Sequence, residues 1–378
     1  MSVLSAIHVS RTPVLGFVSI GLFWGAFAAA VPDIKANLGV GDATFGLAML
    51  MNAFGLVIAM TIAPRFDRWL TKRSLQVGAV MFACVMPIPA LVSNIYVFAA
   101  GMAVMGFGSG ILDVLINTRV SELEGRHKRP LMNANHGMFS VAYAIIAFSM
   151  GMVREGGGAP VYVFLTASAI ILAMAFFMTM EPDFGEDDDS TSAKLGPVVL
   201  ICGAIVLIAF MTEATVETWS ALHIERTLGG NPAEGARGPV MLGLTMAIGR
   251  FGGQAISERF SDITVLICAT IIAAIGCTLA ALAPTPMWAY VGFGTMGLGI
   301  SVIGPIGLGL VGKFVSPTQR SAAIAKASII GFSGFFVAPA IMGGISEAFD
   351  LRVAYLCFTG LVLLLLPLIW MVGRRGYP

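Results

Sequence analysis

The chain has 378 residues, 57% of them hydrophobic and 11% charged, and its mean hydropathy of +0.89 lies far above that of an ordinary soluble domain. Such a composition belongs in a bilayer. A net charge of +1, with no regular interleaving of aromatic and basic residues, excludes the electrostatic footprint of a nucleic-acid-binding protein.

A hydrocarbon core of ~30 Å takes about 20 apolar residues per helix. Read with that ruler, the chain divides into twelve spans, near 14–34, 41–63, 74–94, 96–121, 131–153, 159–180, 196–219, 237–257, 262–283, 286–312, 318–346 and 351–372. The first run ends in the small residues of FAAAVPD, as a cleaved signal would. Its length and the similar runs that follow favour a membrane leg. The positive-inside rule tests the count. With the N-terminus inside, sixteen of the 22 basic residues fall on the cytoplasmic side, Lys35, Arg154, Arg226, Arg237 and Arg352 fall outside, and Arg250 stays within a span. Both termini are then cytoplasmic, in a multi-pass protein of the cell's inner (plasma) membrane.

The stretch EPDFGEDDDSTSAK, 181–194, is acidic and polar, and reads as a solvated tether rather than a metal site at Asp187, Asp188 and Asp189. It divides the chain into a six-helix bundle over 1–180, a linker over 181–195 and a second six-helix bundle over 196–378. Three matches between the halves share one offset. Asp67 and Arg68 meet Glu258 and Arg259, MGFG at 105–108 meets MGLG at 296–299, and Arg129 meets Arg320, all 191 residues apart. A shared offset marks the halves as copies. Duplicated halves that rock about a midplane site are the physical basis of alternating access.

These features carry a resemblance. The loop APRFDRWLTKR, 63–73, resembles the signature between spans two and three of the major facilitator superfamily, commonly G-x-x-x-D-R-x-G-x-R-R. Asp67, Arg68, Lys72 and Arg73 match it, while Ala63 and Leu70 replace its glycines. Gly106, Gly110, Leu112, Asp113, Val114, Asn117, Glu122 and His136 resemble the MosC-like branch, which includes a proposed rhizopine transporter. The resemblance implies an all-α integral membrane protein with the twelve-helix fold of that superfamily, two pseudo-symmetric six-helix bundles, working as a monomer. It also implies a small polar solute of polyol, sugar or amino-sugar type, and a lock at the cytoplasmic edge around Asp67, Arg68, Glu258 and Arg259. A natural partner for Asp67 is the start of span eleven, where SPTQ at 316–319 reads as a capped helix N-terminus.

Scaffold repeats between copies, whereas a site for an asymmetric solute need not. Asp113, Asn117 and His136 align with Gly304, Leu308 and Ala327, and Glu213, Glu217 and Arg250 align with Leu22, Ala26 and Ala59. An ionisable group inside the membrane costs ~2.5 to 3.5 kcal/mol even on lenient scales, so it faces a cavity or a partner. Asp113 and Asn117 share one helical face four residues apart, as do Glu213 and Glu217. Asp113, Asn117 and His136 are expected to cluster in the cytoplasmic half, binding solute, exchanging a proton or closing the inner gate, or else forming a structural hydrogen-bond network. Glu213 is the site candidate of span seven, with Glu217 expected near the outer surface in water. Arg250 suits a solute carboxylate or hydroxyls, or an ion pair that holds the bundle. Trp24, Asn52, Phe139 and Tyr143 are candidates to line the cavity.

The five cysteines stand singly in apolar runs, and no zinc motif, Walker loop, nucleophile elbow or dinucleotide fingerprint appears in context. No metal, cofactor or catalytic residue is expected, and the chain does not read as an enzyme. The expected function is proton-coupled uptake of a small polar solute by alternating access, with the bilayer, protons and the solute as partners. A proton-driven exporter is the alternative. The absence of a Gly-Pro pair in span five lowers it.

Overall fold

The computed structural model describes residues 3–183, 196–257, 259–316 and 319–374, and these form helices and no strand. A short α1 (Val3–Val9) leads into α2 (Arg11–Leu38), α3 (Asp42–Leu70), α4 (Ser74–Val85) with α5 (Ile88–Leu91), α6 (Ile95–His127), α7 (Met132–Glu155) and α8 (Pro160–Ala175). After the linker, of which 184–195 lie outside the described residues, come α9 (Pro197–Leu222), α10 (Pro232–Ser257), α11 (Asp262–Ala281), α12 (Pro286–Phe314), α13 (Arg320–Ala348), and α14 (Leu351–Leu363) with α15 (Leu365–Gly373). These are the twelve legs of an all-α membrane protein. Nine described stretches are long and apolar enough to cross a membrane, and one of them, Asp42–Leu91, contains two legs. The 16-residue α8 and the Arg-bearing α10 complete the set.

The third and twelfth legs are each broken in two, a feature the hydropathy ruler does not register. Proline lacks an N–H, and its ring crowds the carbonyl four residues earlier. Accordingly α4 ends at Val85, four before Pro89, and α14 ends at Leu363, four before Pro367.

The duplication is visible in the coordinates. The first residues of α6 and α12, and those of α8 and α14, are both 191 apart. Packing partners repeat as well: α2 against α7 as α9 against α13, α3 against α6 as α10 against α12, and α4 against α8 as α11 against α14. The halves meet through α3 with α13 and α7 with α10, which the same correspondence interchanges, and through α2 with α9 and α10.

Successive legs run in opposite directions, so the molecule has two ends. The Asp42 end holds the α2–α3 turn, and the Asp67 end holds the α3–α4 turn. At the Asp67 end the Asn135 side chain donates to the Ser10 hydroxyl at 2.9 Å, pinning the α1–α2 junction onto α7. Around the bundle Phe54, Phe148, Phe176, Phe177, Trp288 and Trp370 are exposed, as lipid-facing side chains are.

Glycines set the closest helix crossings, because small residues let membrane helices approach. A Cβ on Gly55 would fall on the Ala103 carbonyl, and one on Gly106 on the Asn52 carbonyl, so α3 and α6 lie backbone to backbone. Gly276, Gly292 and Gly299 do the same for α11 and α12. We expect Gly106→Ala to lower the unfolding temperature in detergent, at a cost of ~1 to 3 kcal/mol for overpacking. Gly309→Ala, where an added Cβ meets open space, should leave it unchanged or slightly raised.

Candidate functional site

The site is built on a stripe of α7. His136, Ser140 and Tyr143 follow helical spacing along one side of that helix, and glycines hold their backbone from two directions. Gly21 and Gly25 of α2 press on the carbonyls of Phe139 and Tyr143, while Gly243 of α10 packs on the Ser140 carbonyl and the Tyr143 ring. No side chain separates the backbones there, so the stripe has little room to shift.

Arg250 of α10 reaches across this stripe. One terminal nitrogen donates to the Ser140 hydroxyl at 2.6 Å and to the His136 carbonyl at 3.4 Å, and the other donates to Glu213 of α9 at 3.2 Å. Its guanidinium carbon also stands 5.9 Å from the centre of the Phe139 ring. One cation therefore joins the two halves in mid-bundle. Around it Phe139, Ser140 and Tyr143 of α7, Glu213 and Glu217 of α9, and Met246 of α10 line a narrow gap.

The remaining sequence candidates sort into groups. Asn117 donates to the carboxylate of Asp113 at 3.1 Å and to its carbonyl at 2.8 Å, so this pair satisfies itself along α6. His136 does not join it. Its ring packs edge-on against Phe17 with centroids 4.7 Å apart, and its backbone carbonyl serves Arg250. The expected cluster of Asp113, Asn117 and His136 is thus two separate features, because His136 turns toward α2 and α10. Trp24 packs edge-on against Phe23 and Phe27, and buried Asn52 lies against Gly106; among the described residues no hydrogen bond joins either to Arg250. Glu217 is buried rather than solvated, since the last three turns of α9 are enclosed on every side.

A second cluster, not singled out by the sequence, closes the Asp42 end. Arg154, at the end of α7, donates to Asp33 at 2.6 Å and makes a two-pronged pair with Glu225 at 2.7 and 2.9 Å. Arg226 makes a two-pronged pair with Asp42, which also receives Lys35 and the Ser346 hydroxyl. Glu225 and Arg226 sit on a π turn, His223–Thr227, that ends α9 and turns both side chains toward the first half. Two helix N-termini are capped from the opposite half: Ala43 N–H donates to Glu347 at 2.8 Å, and Ala233 N–H to Glu155 at 3.4 Å. The missed signal lay in the repeat, where Lys35 and Arg226 are 191 apart and both bind Asp42.

At the Asp67 end, Asp67 pairs with Arg119 of α6, a fully buried cation that also binds Glu122 at 2.9 Å and the Ser74 hydroxyl at 3.3 Å. In this arrangement Asp67 is engaged within its own half. The α-helical part of the eleventh leg begins at Arg320, and the Gln319 N–H donates to the Ser316 carbonyl at 3.0 Å; Pro317 and Thr318, and with them the expected cap, lie outside the described residues. Arg68 and Arg259 are exposed, and Glu258 lies outside the described residues.

The Major Facilitator Superfamily model matches residues 14–260 and 201–378. The chain belongs to that superfamily. An uncharacterized MFS-type transporter of Yersinia pestis is 27% identical over 360 residues, covering 92% of each chain. Membrane protein MosC of Rhizobium meliloti is 25% identical over 339 residues, covering 89% of this chain and 83% of its own. Among solved structures, the inward-facing, occupied form of a bacterial homologue of the human lysosomal transporter Spinster overlays with a TM-score of 0.78 at 14% identity, over 98% of this chain and 97% of that one. The chain is a multi-pass membrane transporter of this superfamily and not an enzyme.

For a facilitator-superfamily transporter, ion pairs between the halves set which end is shut. Removing Arg154 strands Asp33 and Glu225, and hydrogen bonds to charged groups are worth ~1.5 to 3 kcal/mol. Arg154→Gln should therefore raise the population open at the Asp42 end by roughly ten- to a hundredfold. The check is the distance between spin labels at the exposed positions 93 and 284, with the exposed Cys84, Cys268 and Cys357 replaced by alanine.

Proposed function

We propose that this transporter takes up a small polar solute, of polyol, sugar or amino-sugar type, coupled to protons and as a monomer. Halves spanning 1–180 and 196–378 rock about the Arg250 site, with 181–195 as the tether. The Asp67 end, which gathers most of the basic residues, faces the cytoplasm and carries both termini. The Asp42 end faces outward, so the arrangement described is closed to the outside.

The observation that carries this reading is Arg250, held by Glu213 of one half and by Ser140 and the His136 carbonyl of the other. A hydroxyl-rich solute entering from either side finds a guanidinium fork, a carboxylate, a hydroxyl and the Phe139 and Tyr143 rings, the groups that bind polar rings. A D-xylose–proton symporter and the nucleoside transporter NupG share the fold, with TM-scores of 0.76 and 0.77 at 15% and 13% identity. Asp113 and Asn117 on α6, with Trp24 and Asn52, stand as further solute or proton positions reached when the halves move. Asp67, Arg68, Glu258 and Arg259 would form the cytoplasmic lock in the opposite state, with Asp67 exchanging its Arg119 contact for one across the halves.

A thermal-stability screen of the purified protein against inositols, amino-polyols, monosaccharides, organic acids and lipophilic cations tests the reading. A ligand at a hundred times its Kd stabilises the native state by about 2.7 kcal/mol. A polyol, sugar or amino-sugar should raise the melting temperature, and Arg250→Lys should weaken that ligand at least tenfold, because an ammonium cannot reproduce the planar fork. Stabilisation by lipophilic cations alone would replace import with proton-driven export.

A further inference from the structure

The gap beside Arg250 holds one more carboxyl group than that cation serves. Glu213 and Glu217 lie one turn apart on α9 and both line the gap. Arg250 donates to Glu213, and among the described residues no hydrogen bond or ion pair is found for Glu217, which is only 8% exposed. Tyr143 lines the same gap, 1% exposed, and among the described residues its hydroxyl has no hydrogen-bond partner. A bare carboxylate at Glu217 would be buried without a counter-charge of its own and one turn from a second carboxylate. A proton on Glu217 removes both penalties.

We propose that Glu217 carries the coupling proton of the transport cycle, an inference that rests on the transporter reading but is tested without a solute. With the Asp42 end shut, Glu217 is a neutral acid, and Arg250 divides its donors between Glu213 and α7. Water entering from the Asp67 end accepts the proton as the O–H bond breaks. The carboxylate left behind then competes for Arg250 with Ser140 and the His136 carbonyl. Drawing the guanidinium toward α9 loosens α7 from α10, so loss of the proton is felt at the contact between the halves. Water at the Asp42 end later returns a proton to the same carboxylate, and the O–H bond forms again.

The charged and titratable groups facing Glu217 are Glu213 on its own helix, Arg250 on α10 and Tyr143 on α7, with Tyr355 of α14 beyond, bonded to the Thr215 carbonyl. The described parts of α2, α12 and α13 bring no charged group to it, their ionisable residues lying toward the helix ends.

Two measurements on the full-length protein in nanodiscs decide the matter. Infrared spectroscopy at neutral pH should show the carbonyl stretch of a protonated carboxylic acid, lost in Glu217→Gln, shifted but kept in Glu217→Asp, and unchanged in Asp113→Asn. The distance between labels at 93 and 284 should follow pH in the parent protein and become independent of pH in Glu217→Gln. A band that survives Glu217→Gln, a band lost in Asp113→Asn instead, or a label distance that still follows pH in Glu217→Gln would each overturn the assignment. If Glu217→Gln does not fold, Glu217→Asp carries the same decision through the shift of its band. Failure of the transporter reading would show elsewhere, as the absence of any stabilising solute.

Discussion

Water is missing from the interior of a bilayer, and every charge placed there must find its partner inside the protein. That constraint organises this molecule. Most basic residues lie toward the helix ends, and those enclosed by the bundle are met by specific groups: Arg119 by Asp67 and Glu122, Arg154 by Asp33 and Glu225, and Arg250 by Glu213, Ser140 and a backbone carbonyl. Arg119 holds one half together from within. Arg154 and Arg250 reach from one half to the other, so their partners change when the halves move. The same chemistry that makes a buried charge costly makes it a sensitive reporter of the state of the interface.

Duplication supplies a symmetric frame, and the site breaks the symmetry. Helix pairs, starting residues and interface contacts follow one correspondence in both halves. Charges do not. Lys35 and Arg226 occupy equivalent places, yet both bind Asp42, whose counterpart in the second half is Ala233. The N-terminus of α10 takes a carboxylate from Glu155 of the first half, while that of α3 takes one from Glu347 of the second. A repeated scaffold can thus rock as two rigid bodies while an unrepeated set of polar side chains decides what binds and which end is shut.

Close backbone contact makes the coupling stiff. The stripe of α7 that carries Ser140 and Tyr143 is held by Gly21, Gly25 and Gly243, which bring three helices together without intervening side chains. Movement of Arg250 is then transmitted as movement of whole helices, because packed interiors are bistable rather than continuously deformable.

Much of this was legible in the sequence, because the signals are local. Span length and the 191-residue offset depend on residues near one another or on identity between copies. The half-specific polar residues were visible for the same reason, and Glu213 and Arg250 do meet. What only the tertiary structure decided is how each helix is rotated and which neighbours close over it. Rotation of α7 takes His136 away from Asp113 and toward Phe17. Enclosure of the end of α9 buries Glu217, which its place near the outer end of span seven had put in water. The partners of Asp67, Arg154 and Arg226 are 52, 71 and 184 residues away along the chain, at Arg119, Glu225 and Asp42. The sequence by itself therefore determined the legs, the repeat and the supply of charges, since these follow from hydrophobic length and local pattern. The pairing of those charges was left to the packing of helices, because an ion pair depends on distance in space and not along the chain.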